Sequence, residues 1–203
     1  MGLITETESF DGLCEVAGKI FDLDRSLPES VFRSNFKRFV FLDVDELFTD
    51  GFFLSMNTFV QKSSTPIWYF LMIDPDPKEY FANSQKYPAL EITPRTPVSE
   101  YWVAFSEDSS PEAGDAIFYL GTSKILLFSR SCEWGILMDR NFEMGVAGFE
   151  NPHTMSKFNE AFGYENLFSV QAAIDTFLVP AYGSLNSVPR NIQQKLLENY
   201  GDE

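Results

Sequence analysis

A chain of 203 residues with 44% apolar side chains and 21 phenylalanines carries enough large rings for one substantial core. That composition excludes a disordered chain and one that depends on disulfide or metal staples. The 30 acidic residues against 15 basic ones give a formal net charge of -15, spread along the whole length. Such a field repels phosphate backbones and anionic membranes, so no direct nucleic-acid or membrane partner is expected, and it draws in a basic protein. The longest apolar run, residues 67–73, is too short to cross a bilayer. Cys14 and Cys132 fit no metal or redox spacing. With no signal peptide at the start, they read as reduced thiols of a cytoplasmic protein. We expect a single domain over residues 1–203, frayed only at 1–7 and 201–203.

In chain order, the first helix is predicted to start near Thr5 or Ser9, because Thr5 and Glu8 have capping-box spacing. Phe10, Leu13, Ala17, Ile20 and Phe21 then recur at helical intervals. Residues 38–42 read as a short strand. A helix follows, capped by Asp43, with Glu46 three residues later and Leu42 able to staple to Leu47. Val44, Leu47, Phe48, Phe52, Met56 and Phe59 form its stripe, which Gly51 weakens without ending. Residues 67–73 read as a buried strand closed by the Asp-Pro-Asp-Pro run at 74–77, and residues 78–83 as a helical turn. Four prolines make residues 84–113 the most irregular segment, with Ser99 capping a helix that carries Tyr101, Trp102 and Phe105.

The period then changes. Short apolar runs at 116–120, 125–128, 134–138 and 144–149, separated by turn residues, predict an antiparallel meander within residues 115–150. Beyond Pro152 the pattern is helical again over 156–162, 167–178 and 189–200. Helices, then strands, then helices give an α+β fold, with a mainly antiparallel sheet packed against N- and C-terminal helices.

The segment Phe41-Leu42-Asp43-Val44-Asp45-Glu46-Leu47 puts two carboxylates two residues apart at a strand end, where both can face one phosphoryl group. It resembles the first motif of the haloacid-dehalogenase-like phosphatases. That resemblance implies a magnesium-dependent hydrolase with Asp43 as nucleophile and Asp45 as acid/base. The chain departs from the family pattern in having Glu46-Leu47 where Gly-Thr is usual. No later Gly-Asp-x-x-x-Asp or Asp-Asp completes a metal site, and Gly114-Asp115 is followed by apolar residues. The same letters also serve a helix start, with Asp43 as cap and Asp45 and Glu46 in the first turn. A Gly-x-Ser-x-Gly elbow, a P-loop and a Gly-x-Gly-x-x-Gly turn are all lacking. The one histidine, His153, lies beside Pro152 and suits a surface or helix-start role. No cofactor or metal is implied by these residues.

The stretch from Ser131-Cys132-Glu133-Trp134-Gly135 through Asp139-Arg140-Asn141 to Met144 resembles a hairpin of bacterial immunity proteins, the antitoxins encoded beside polymorphic or contact-dependent toxins. Asp74-Pro75-Asp76-Pro77 and Gly114-Asp115-Ala116-Ile117 share that look, so the resemblance covers about residues 65–150. It implies a non-catalytic inhibitor that occupies a surface of one cognate toxin, often a basic nuclease. The expected contact residues are exposed acids flanking aromatics: Asp43, Asp45, Glu46, Glu107, Asp108 and Asp139, with Trp134 as an aromatic anchor. A homodimer joined through apolar surface is a third reading.

Overall fold

The computed structural model describes residues 2–63, 65–74, 76–105 and 123–201. Its strands are β1 (Gly2–Leu3), β2 (Arg38–Asp43), β3 (Trp68–Asp74), β4 (Ala89–Ile92), β5 (Lys124–Phe128), β6 (Trp134–Asp139) and β7 (Met144–Phe149). They form one sheet in the order β1-β4-β3-β5-β6-β7-β2, with every neighbouring pair antiparallel. The fold is α+β, as the sequence predicts. Three of these strands, β5, β6 and β7, are the predicted meander; the apolar run at 116–120 lies outside the described residues.

The strands read as continuous apolar runs because helices cover both faces of the sheet. All six residues of β6 and of β7 are buried. One face packs Phe41, Tyr69, Leu71, Leu126, Phe128, Leu137 and Val146 against α1 (Thr7–Ile20), the segment 27–36 and the C-terminal helices. The other packs Leu42, Trp68, Phe70, Met72, Leu127, Ile136 and Phe149 against α2 (Asp50–Gln61), α4 (Val98–Phe105) and α5 (Pro152–Phe162). Alternate residues of one strand thus enter different cores, which is the period-two geometry of a strand. A short helix, α3 (Pro77–Ser84), starts from Asp76, whose carboxylate accepts the Lys78 amide at 2.8 Å.

Two glycines set how closely the end of α1 and the segment that follows it approach the sheet. Gly135 and Gly148 are register partners in β6 and β7. A Cβ on Gly135 would lie 2.6 Å from Ile20 and Phe21, and one on Gly148 2.8 Å from the Phe32 ring. The paired glycines leave a dent that those side chains fill, and the Phe21 and Phe32 rings meet at a tilt of 39° with centroids 5.2 Å apart.

Several predicted boundaries are corrected. Residues 2–4 are tied down: β1 pairs with β4, and Ile4 donates to Ala89 and accepts from Tyr87. The proline-rich segment hides the strand β4, four residues between Pro88 and Pro94. The helix predicted from Asp43 to Phe59 is two pieces, a 3-10 turn Val44–Phe48 and then α2. Thr49 divides them, because its hydroxyl accepts the Phe52 amide at 3.0 Å and starts a fresh helix. The helix predicted over 167–178 begins with Ser169 as cap, as α6 (Val170–Ala173), widens to a π turn at Ile174–Leu178 and continues as α7 (Val179–Tyr182). Pro180 accounts for the widening: it has no N–H to give the Thr176 carbonyl four residues back, and its ring crowds that carbonyl. The last helix, α8 (Arg190–Tyr200), closes the first core through Leu196 and Tyr200.

Candidate functional site

β2 is an edge strand whose last residue, Asp43, is the register partner of Met144 at the start of β7. That pairing sets the end of β2 beside the β6–β7 turn, residues 140–143. The π turn and α7 close the third side. The result is a cleft of about 450 Å³ lined by Asp43, Val44, Asp45, Arg140, Glu143, Thr176, Phe177 and Pro180.

Each group has a local reason for its place. Asp43 is half-buried, and its Oδ1 accepts the Asp45 amide at 2.8 Å, which caps the 3-10 turn. Asp45 is exposed one turn position on. Glu143 follows a tight turn, in which its amide donates to the Arg140 carbonyl, and it has a φ of 54°. That left-handed conformation is the one Gly or Asn adopts at low cost after a type I turn, so a glutamate there is strained. Arg140 is held over the Phe48 ring, its guanidinium carbon 5.4 Å from the centroid. Three carboxylates therefore share the cleft with one guanidinium that is engaged by an aromatic face.

The predicted contact residues separate. Asp43 and Asp45 come together in the cleft. Glu46 is exposed beside it, its carboxylate 3.3 Å from the Thr49 hydroxyl, without lining it. Glu107 and Asp108 lie outside the described residues. Asp139 and Trp134 are corrections: each is only 1% exposed and neither presents a surface. Trp134 packs edge-on against Phe59 at 5.2 Å inside the second core. Asp139 shares strand parity with Leu137 and so turns toward the face that α1 and the C-terminal helices cover, where burial raises its pKa despite the Asn141 amide donating to it at 3.0 Å. Arg140, Glu143 and Thr176 are the cleft residues that sequence reasoning missed. Pro180 inside a helical pattern was the one signal that could have drawn attention to Thr176.

Chemically, the cleft is net acidic: three carboxylates against the one Arg140 guanidinium, with the Thr176 side chain and apolar contacts from Val44, Phe177 and Pro180. The phosphatase resemblance gains no second half from the geometry. Asp43 spends an oxygen on its cap, and its strand is the edge of an antiparallel sheet. Among the described residues no group of three or more His, Cys, Asp or Glu side chains is placed to hold a metal ion. No helix among those residues is long and apolar enough to cross a membrane.

The chain matches no protein-family model, no curated protein and no solved structure.

Proposed function

We propose that the protein is a non-catalytic cytosolic binding protein of the immunity-inhibitor kind, which captures a basic protein by admitting one of its cationic side chains to the cleft at Asp43, Asp45 and Glu143. The observation that carries this reading is that those three carboxylates line one cleft although they come from two elements a hundred residues apart in sequence, which the sheet sets side by side. Charge-assisted hydrogen bonds from a guanidinium or ammonium are stronger than neutral ones, and the cleft offers several acceptors at once. None of the three cleft carboxylates is among the side-chain ion pairs seen in the described residues, which involve Asp22, Glu29 and Glu160. The net charge of -15 then supplies long-range attraction, which speeds encounter, while close contacts set the residence time.

The test is capture from a lysate of the native host at low salt, with the wild-type chain and the triple variant Asp43→Asn, Asp45→Asn, Glu143→Gln immobilised side by side. Asn keeps the cap at position 43, so the fold survives the charge removal. A basic protein, identified by mass spectrometry, is expected on the wild type and lost from the variant. Equal retention by both would remove the cleft from the account. Magnesium-dependent hydrolysis of a generic phosphoester, abolished by Asp43→Asn, would replace docking with catalysis.

A further inference from the structure

A second cleft, of about 430 Å³, opens at the diagonally opposite corner of the same sheet face. It lies where the first turn of α1 meets β1, the start of β3 and the turn after β5. Glu6, Ser9, Tyr69, Glu91 and Arg130 are among the residues that line it. Tyr69 and Glu91 are register partners on β3 and β4. Arg130 follows β5, and its Nε donates to the Tyr69 hydroxyl at 2.8 Å. Tyr69 is only 3% exposed, whereas Arg130 and Glu91 are exposed. The buried ring therefore orients the guanidinium while leaving its remaining N–H donors clear of that bond.

Two features of the lining point to a ligand. Arg130 forms no ion pair among the described residues, although Glu91 is close enough to act on the Tyr69 hydroxyl between them. Burial is the main reason that hydroxyl's pKa is raised, with Arg130 opposing the rise and Glu91 adding to it. The second feature is the start of α1, where Glu6 holds the cap position with no side-chain cap bond and lines the cleft together with Ser9. A bare anion entering here would meet Glu6 and Glu91. A bare cation would meet Arg130 and the positive end of a fourteen-residue helix. A molecule that carries both charges a few bonds apart satisfies both halves.

We propose that this cleft binds a small zwitterion of the free α-amino-acid type, its carboxylate held by Arg130 beside the start of α1, its ammonium by Glu91 and Glu6. The size fits, since small-ligand pockets begin at about 300 Å³. This site is independent of the acidic cleft and stands whether or not the chain captures a protein.

The test is isothermal titration calorimetry of the full chain with the common free L-amino acids, and with acetate and methylammonium as the separated halves. At least one amino acid is expected to bind with a Kd at or below about 1 mM, and each half at least about tenfold more weakly. Arg130→Gln and Glu91→Gln, both at exposed positions, should each weaken that amino acid at least about tenfold, whereas Asp43→Asn in the other cleft should leave it unchanged. A thermal melt of each variant separates lost binding from lost fold. The proposal is overturned if no amino acid binds, if acetate binds as tightly as the best amino acid, or if the folded Arg130 and Glu91 variants bind as the wild type does.

Discussion

Asp139 lies directly across the β5–β6 ladder from Lys124, yet the Lys124 ammonium donates to the Ser26 hydroxyl at 2.7 Å, and Asp139 Oδ2 is buried with no hydrogen-bond partner among the described residues. The register extends this row across one end of the sheet, from Asp74 through Lys124, Asp139 and Met144 to Asp43. Burial raises the Asp139 pKa above the ordinary carboxyl value, and Asp74 adds to the rise while the Asn141 amide and Lys124 oppose it. The folded chain therefore holds the Asp139 proton more tightly than the unfolded chain does. The associated stability is fully present below the unfolded pKa and is lost as pH rises through the folded one.

Asp139→Asn should accordingly raise the melting temperature at neutral pH, because the amide keeps the acceptor for Asn141 and removes a desolvated charge. The gain should shrink as pH falls through the carboxyl range, where the native acid is neutral too. Melting curves of both chains across pH would check this. A variant less stable than wild type at every pH would mean that the charge has a partner.

Glu143→Gly should stabilise the fold by about 1 kcal/mol, since it relieves a left-handed residue that carries a Cβ, offset in part by the greater freedom of glycine in the unfolded chain. Urea midpoints at constant slope measure this directly. The same change should weaken capture of a basic partner, because it removes one of the three cleft carboxylates. Greater stability with weaker binding is the signature of strain retained at a functional position.

Gly148→Ala and Gly135→Ala should each cost about 1–3 kcal/mol, since either Cβ would meet a ring or branched side chain inside van der Waals distance. Gly12→Ala on α1, where a Cβ would meet nothing within 4 Å, should instead be neutral or slightly stabilising. Chemical denaturation of the three variants would separate a packing constraint from a general intolerance of change.

Cys14 and Cys132 should both alkylate slowly. Burial, with Asp11 adding to it, pushes the Cys14 thiol from 9.0 up to about 11, so its thiolate fraction at neutral pH is about a hundredfold below that of an ordinary cysteine. Burial raises the Cys132 thiol as well. Mass spectrometry of iodoacetamide labelling against time and pH would reveal rates that climb only in strongly alkaline solution. Rapid labelling at neutral pH would show that the surroundings open.

How far the fold was legible depended on whether its signals were local. β7 was predicted at its observed ends, because Asn141 to Glu143 turn before it and Glu150-Asn151 stop it. β4 was missed because four residues between prolines look like loop, and only pairing with β1 and β3 makes them a strand. Asp139 was misread for a related reason: a charged letter beside a turn suggests solvent, whereas helices cover both faces of the sheet and bury every residue of β6. The acidic cleft was half legible. Asp43 and Asp45 stand together in sequence, but Glu143 and Thr176 join them only because β2 leaves its neighbours in the chain to pair with β7 at the far edge of the sheet.

The most direct test of docking through the acidic cleft is the association rate of the purified captured partner, followed by stopped flow against ionic strength for the wild type and the Asp43→Asn, Asp45→Asn, Glu143→Gln variant. The wild-type rate should fall at least about tenfold as salt screens the field, and the variant should dissociate at least about tenfold faster at any one salt concentration. A salt-independent rate, together with identical dissociation of the two chains, would contradict it.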